Sequence, residues 1–224
     1  MWDSVLFVAF PYVAITIAIL MAIVRYRTDR FSYSSLSSQF LESRALFWGS
    51  VPWHYGVIPI LGAHLLALVF PGFWGDLIAD EIRLYVLEVT GLALALMTVV
   101  GLALLIVRRV RNARVLAVTS TMDWLLLVVL LVQVALGTWV ALVYRWGSDW
   151  YLHTAVPWLL SLLRFEPQTQ YVTALPWVVK LHMLGGFLVI LLFPFTRLVH
   201  LVTFPVTYLW RPIQVVIWNR RAQG

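Results

Sequence analysis

The chain has 224 residues, of which 62% are hydrophobic and only 12% are charged, and its mean hydropathy is +0.89. A soluble domain usually carries about twice that share of charged residues, so the composition indicates an integral membrane protein. The absence of cysteine excludes disulfides, thiolate-bound iron–sulfur clusters and covalently attached c-type haem. The isoelectric point near 10.0 does not indicate a nucleic-acid partner, because the arginines lie at the ends of apolar segments.

Five apolar segments are long enough to cross roughly 30 Å of hydrocarbon, which takes about 20 helical residues. They cover residues 5–24, 46–70, 84–107, 124–144 and 175–203. We expect the first to be a retained helix and not a cleaved signal, because no basic region precedes it. The sequence therefore predicts an all-α integral membrane protein, a five-transmembrane-helix bundle in which residues 1–224 form a single membrane domain.

The segments between the apolar stretches differ in charge. Most arginines fall between the first and second segments, between the third and fourth, and after the fifth, whereas most acidic residues fall on the other side. The positive-inside rule then places the N-terminus outside and the C-terminus in the cytoplasm, with residues 204–224 as a basic cytoplasmic tail. In the long outer loop 145–174, we expect the apolar stretch 156–165 either to lie flat on the membrane interface or to cap the bundle.

Four of the five histidines lie inside apolar segments, where an ionisable side chain is costly and indicates a function. His54 and His64 are separated by roughly 15 Å of helical rise, and His182 and His200 by roughly 27 Å. Two histidines of one helix therefore cannot hold the same metal ion. The second and fifth segments cross the membrane in opposite directions, which pairs His54 with His200 near the inner face and His64 with His182 near the outer face.

Two stacked bis-histidine sites fit two b-type haems, since haem iron accepts two axial imidazoles and such ligation leaves no open position. The unequal spacings must be absorbed by tilt or by kinks at Pro59 and Pro194. The alternative for a single membrane histidine is an interhelical hydrogen bond. Four glycines would admit a flat macrocycle or, alternatively, close helix packing: Gly56, Gly62, Gly185 and Gly186. The fifth histidine, His153, is expected to be a surface residue.

Several stretches match one known family. They are 181–182, 192–200, 205–206, 208–209, 37–39 and 114–115, together with Thr119, Asp123, Gln133, Leu136, Gly137 and the histidine spacings of ten and eighteen residues. On these residues the chain resembles the gamma subunit, a cytochrome b, of respiratory membrane-bound nitrate reductase.

The resemblance implies that His54 and His200 hold an inner haem b and that His64 and His182 hold an outer one. It implies that quinol is oxidised near the outer haem, and that electrons pass to an iron–sulfur subunit and a molybdenum catalytic subunit on the cytoplasmic side of a prokaryotic inner membrane. Segment 37–47 and the tail would dock the iron–sulfur subunit. Candidate quinol residues stand near the outer histidines: Gly62, Ala63, Arg83, which replaces a common lysine of the family, and Glu88.

Some assignments keep alternatives. Glu88 either accepts a quinol proton or pairs with Arg83 near the surface. The arginines of segment 108–114 and Arg197 either bind propionates of the inner haem or set topology. The same subunit could serve another molybdenum or sulfur-linked oxidoreductase. A transporter is less favoured, because the first and fourth segments carry no polar path. The chain holds no catalytic constellation, so we expect an electron-transfer subunit of an enzyme.

Overall fold

The computed structural model describes residues 2–29 and 41–202, and these residues contain helices and no strand. We number the helices in chain order. They are α1 (Trp2–Thr28), α2 (Arg44–Val69), α3 (Pro71–Ile78), α4 (Glu81–Arg111), α5 (Ala113–Ala117), α6 (Thr121–Val143), α7 (Gly147–His153), α8 (Ala155–Leu163), α9 (Gln170–Thr173) and α10 (Trp177–Leu192).

Helices α1, α2, α4, α6 and α10 are long and apolar enough to cross a membrane, and the predicted five-helix membrane fold is confirmed. Helices α1 and α4 run a few residues past the predicted apolar segments at both ends, where charged residues stand. Helix α4 shows this at both ends. The Asp80 side chain accepts the backbone N–H of Arg83 at its start, and Arg108, Arg109 and Arg111 occupy the last turn, where cations favour the helix dipole.

The fifth predicted helix, 175–203, is wrong beyond Leu192. Helix α10 ends there, Pro194 lies in a short 3-10 turn, and Thr196 is extended at φ −123° and ψ −177°. Proline lacks the N–H that would continue the helical ladder. The turn is further held by Arg25 of α1, whose guanidinium donates to the Pro194 carbonyl at 2.6 Å. His200 follows on a second 3-10 turn, Arg197–Leu201, and so is not on the helix of His182.

Because of the break, the roughly 27 Å that one continuous helix would place between His182 and His200 no longer applies. From His182 to Leu192, α10 rises by about 15 Å, which matches the rise of about 15 Å between His54 and His64 on α2. Helix α2 runs unbroken through both Pro52 and Pro59.

Glycines set the packing of α2 on α4. A Cβ at Gly101 would meet the backbone of Trp53 and, at 2.9 Å, the carbonyl of Gly49, and a Cβ at Gly56 would meet Thr98. Gly56 therefore serves helix packing. Helix α4 packs on α6, α6 on α10, and α10 on α1, whereas α2 and α10 do not pack extensively on each other within the described residues. The two histidine-bearing helices thus have few direct contacts within the described residues.

The outer loop folds into the bundle. Trp158 of α8 is 1% exposed, its indole N–H donates to the Phe7 carbonyl at 3.0 Å, and its ring packs edge-on against Phe7 and Phe187. Segment 156–165 therefore caps the bundle and does not lie flat on its surface. Helix α7 packs beside α3, where the Trp74 indole donates to the Ser148 carbonyl at 3.3 Å. The predicted docking residues 37–40 and the tail 204–224 lie outside the described residues.

Candidate functional site

His54 and His200 form the first histidine pair. Their ring centroids are 6.2 Å apart, and the ring planes are inclined by 77°. The Nδ1 atom of His54 lies 2.8 Å from the carbonyl oxygen of Ser50, one turn earlier on α2. The Nδ1 atom of His200 lies 2.7 Å from the carbonyl oxygen of Arg197. The pairing predicted from antiparallel helices is thus present at this end, although His200 reaches it from a 3-10 turn.

His64 and His182 form the second pair, and their imidazoles are close enough to interact electrostatically. The Nδ1 atom of His64 lies 2.8 Å from the Ile60 carbonyl on its own helix. The Nδ1 atom of His182 lies 3.1 Å from the carbonyl of Gln133 on the neighbouring helix α6. The structure therefore places His54 beside His200, and His64 within electrostatic range of His182.

All four imidazoles share one hydrogen-bonding pattern. Each Nδ1 faces a backbone carbonyl, which can only accept, so the ring proton resides on Nδ1 and the lone pair on Nε2. Metal-bound histidines characteristically donate their second N–H in this way. By contrast, the exposed His153 contacts Asp149 through its Nε2 atom at 3.6 Å, as expected for a surface residue.

The separation of the first pair also fits a shared metal. Metal–nitrogen bonds to histidine are about 2.0–2.1 Å long, so two imidazoles that share one ion would have ring centroids within roughly 6 Å of each other. The observed 6.2 Å agrees. The described residues bring the histidines together in pairs, and no group of three or more His, Cys, Asp or Glu side chains suited to a metal is found among them. The donor set therefore fits the two axial positions of a haem.

A buried carboxylate holds the residue whose backbone carbonyl faces His200. Asp123 of α6 is 5% exposed and accepts the Nε–H of Arg197 at 2.7 Å, and the Arg109 guanidinium lies 3.6 Å from its other oxygen. Arg197 in turn supplies the carbonyl that receives His200. The three charges therefore join α4, α6 and the 3-10 turn beside the inner pair. Arg108, also predicted for propionates, donates to Glu42 at 2.6 Å.

The outer pair is bounded by Tyr151 of α7, which the sequence analysis did not single out. Its ring centroid lies 5.0 Å from that of His64, and its hydroxyl donates to the His64 carbonyl at 3.3 Å. Burial raises the pKa of Tyr151 to about 12, so the hydroxyl keeps its proton and remains a donor. No local sequence pattern distinguishes Tyr151, because it reaches His64 only when α7 folds against α2.

The four candidate quinol residues have different surroundings. A Cβ at Gly62 would meet no atom within 4 Å, whereas Ala63 packs among side chains of α3, α7 and α8. Arg83 is exposed, and its guanidinium lies 3.9 Å from Asp80. The Glu88 carboxylate accepts the backbone N–H groups of Gly147 and Ser148 at 3.1 and 2.8 Å.

These contacts give each of the two charged candidates a partner of its own. Glu88 caps the N-terminus of α7, where a carboxylate is favoured by the helix dipole. The alternative pairing of Glu88 with Arg83 is not among the ion pairs of the described residues.

The family model for the nitrate reductase gamma subunit matches residues 3–219. The chain belongs to this family. It is 30% identical to the nitrate reductase gamma chain of Bacillus subtilis (strain 168) over 99% of this chain and 100% of that one. It is also 30% identical to the respiratory nitrate reductase 2 gamma chain of Escherichia coli (strain K12), over 92% and 93% of the two chains.

A further relative is longer. The nitrate reductase-like protein NarX of Mycobacterium tuberculosis (strain CDC 1551 / Oshkosh) is 31% identical over 95% of this chain but only 33% of its own length. Together with the five apolar helices, the family makes this chain a multi-pass membrane subunit of nitrate reductase in a prokaryotic inner membrane. The gamma-chain designation implies association with other subunits of that enzyme.

Proposed function

We propose that this nitrate reductase gamma subunit is a cytochrome b that carries electrons across the membrane between two b haems. His54 and His200 hold the inner haem, and His64 and His182 hold the outer one. The observation that carries the proposal is the hydrogen bonding of the four imidazoles, since the Nδ1 atom of each one faces a backbone carbonyl. Each can donate Nδ1–H to a carbonyl, which would leave Nε2 for a metal, and the ring centroids of one pair lie 6.2 Å apart, a separation compatible with a shared ion.

Haem b, when bound at these sites, supplies a one-electron redox couple. The positions of the histidines along α2 set where each haem would lie. Ten residues of α2 separate His54 from His64, so the two sites are spaced by roughly 15 Å along the membrane normal. The apolar spanning helices would surround the path between them. Two histidines at each site would leave the haem iron no position for oxygen, which suits the sites to electron transfer.

Quinol would be oxidised at the outer end of the electron path, near His64. Oxidation of a quinol releases two electrons and two protons, and Gly62, Ala63, Arg83 and Glu88 lie on the elements beside His64. Gly62 presents open backbone against which a flat ring can lie. The exposed Arg83 guanidinium can pair with a quinol oxygen, and the Glu88 carboxylate can accept a proton.

The distribution of charged side chains between the two ends of the bundle supports an orientation in the membrane. Arg25, Arg108, Arg109 and Arg197 gather at the end of the bundle that holds the inner pair, and Asp76, Asp80 and Glu81 occupy the other end. The positive-inside rule then puts the N-terminus outside and the C-terminus in the cytoplasm.

The cytoplasmic end would dock the iron–sulfur subunit, which passes electrons to the molybdenum catalytic subunit. At this end α2 exposes Phe47, the last residue of the predicted docking segment 37–47, and the adjacent Trp48, whose rings meet edge-to-face. Aromatic residues are enriched in protein interfaces, which supports this assignment.

A reduced-minus-oxidised absorption spectrum with pyridine haemochrome quantitation of the purified subunit tests the proposal. We expect a b-type spectrum with two haems per chain. His54→Ala and His64→Ala should each remove one haem, whereas the matched control His153→Ala should keep both. A protein that contains no haem, or that keeps both haems in the first two variants, would refute the proposed function.

The identity of the partners is tested separately. Affinity purification of the tagged subunit from native membranes should recover an iron–sulfur and a molybdenum subunit, and nitrate should reoxidise the quinol-reduced complex. Recovery of a sulfur-linked or nitrite-oxidising partner in their place would reassign the acceptor. It would leave the two haem sites untouched.

A further inference from the structure

His182 differs from the other three paired histidines in the source of its hydrogen bond. His54, His64 and His200 each face a carbonyl three or four residues earlier in their own segment. His182 faces the carbonyl of Gln133, which belongs to α6. The ring orientation of this one histidine therefore depends on how two helices dock.

The contact between Gln133 and His182 is reciprocal. The Gln133 carbonyl accepts from the Nδ1 of His182 at 3.1 Å, and the Gln133 side-chain amide donates to the His182 carbonyl at 3.0 Å. Two hydrogen bonds in opposite directions between the same pair of residues fix both the separation of the helices and their rotation at this level. We call these two bonds the Gln133–His182 clasp.

Two glycines make room for the clasp. A Cβ at Gly137, one turn along α6 from Gln133, would lie 2.8 Å from Cε1 of the His182 ring and 3.4 Å from both ring nitrogens. A Cβ at Gly185 of α10 would collide with the Gln133 amide oxygen and lie 3.2 Å from its Cδ. The imidazole thus lies directly over Gly137, and the Gln133 side chain over Gly185.

We propose that Gln133 and Gly137 are positioning residues for the outer haem. They aim the Nε2 lone pair of His182 from a helix that contributes no ligand. The inference rests on the proposed function, since it assigns a role within the outer haem site. A hydrogen bond from Nδ1–H to a carbonyl also makes the ligating nitrogen more basic, which favours ferric iron. The clasp therefore sets both the geometry and the redox potential of the outer haem, and the inner pair is independent of it.

Graded substitution at Gly137 tests the inference in the purified complex. In Gly137→Ala the ring must shift by a few tenths of an ångström away from its carbonyl. We expect two haems per chain, an altered EPR g value for the outer ferric haem and a higher midpoint potential for that haem. In Gly137→Val we expect loss of the outer haem alone. The inner haem serves as an internal reference in every sample.

Gln133→Leu tests the same point without added crowding at the ring, since leucine is similar in size and cannot donate to the His182 carbonyl. We expect an outer-haem shift in the same direction as in Gly137→Ala. Gly91→Ala on α4 is the matched control, because a Cβ there would meet no atom within 4 Å. Both haem signals should be unchanged in it.

Unchanged g values and potentials of the outer haem in both Gly137→Ala and Gln133→Leu would overturn the positioning role. Equal shifts of both haems would also overturn it, because they would mean a general loss of structure. A wild-type complex without haem would instead refute the proposed function itself, and with it the inference.

Discussion

The imidazole of His54, in the middle of a spanning helix, and that of His200, on a 3-10 turn beyond the end of another, meet with their centroids 6.2 Å apart. Neither ring touches the other at bonding distance, and each is anchored through Nδ1 to a different carbonyl. Their spacing is therefore set by the backbone and not by mutual contact. Each ring is thus held in place from its own side of the pair.

Replacing His200 with alanine should remove one haem per chain and leave a cavity the size of an imidazole. Because His200 is exposed, added imidazole should enter the cavity and restore the second haem. Pyridine haemochrome quantitation with and without imidazole measures this. The wild-type haem content should not respond to imidazole, and a variant that keeps two haems without it would contradict the ligand assignment.

Asp123→Asn should weaken the support of the inner site. The substitution removes the charge that faces Arg197 at 2.7 Å and Arg109 at 3.6 Å in a buried position. Hydrogen bonds to charged groups contribute about 1.5–3 kcal/mol, so the loss of unfolding free energy should be of that order. Thermal melts followed at the haem absorption band measure it. The exposed control Asp149→Asn should leave the melting temperature within error, and an equal loss there would contradict the role of Asp123.

The stability contributed by Glu42 should depend on pH. Its pKa is lowered from the usual 4.5, first by the backbone N–H of Ala45 and then by the Arg108 guanidinium. A lowered folded-state pKa means that the contribution is present above the usual carboxyl pKa and is lost as the pH falls through the folded-state value. The difference in melting temperature between the wild type and Glu42→Gln should therefore be largest near neutral pH and vanish in acid.

The control for this series is Glu166→Gln, which changes an exposed carboxylate. Its melting temperature should follow that of the wild type at every pH. A wild-type minus Glu42→Gln difference that stays constant down to acid pH would show that Glu42 acts through packing and not through charge.

Gly101→Ala should separate α2 from α4. The new Cβ would press on the backbone of Trp53 and Gly49, which cannot move as a side-chain tip can. Overpacking of this kind costs about 1–3 kcal/mol. We expect a lower melting temperature and a reduced yield of folded protein, while Gly91→Ala on the same helix should match the wild type. Equal behaviour of the two variants would show that the α2–α4 contact is not close enough to require glycine.

The sequence was sufficient for the features that depend on apolar length. Crossing a bilayer takes about 20 consecutive apolar residues, so all five spans could be located from hydropathy alone. The pairing of His54 with His200 followed from the opposite directions of two helices. Only the parity of the crossings decides which histidines lie at the same end, and His200 lies near His54 although it stands on a 3-10 turn.

The remaining features depend on long-range contacts. Pro194 was recognised as a possible kink, but the end of the helix at Leu192 is fixed also by Arg25, which is distant in sequence. Tyr151 and the cap of α7 by Glu88 follow from the folding of the outer loop onto α2 and α4. Gln133 and Gly137 matched the family pattern, but their contact with His182 appears only when α6 docks on α10.

The break after Leu192 has a consequence for the order in which the sites can be built. His64 and His182 lie on α2 and α10, and both are synthesised before the residues beyond the break. His200 is the last of the four histidines in the chain and belongs to a separate turn. A nascent chain that ends at Leu192 therefore already contains both histidines proposed for the outer haem and only one of those proposed for the inner haem, so the outer pair is complete first during synthesis.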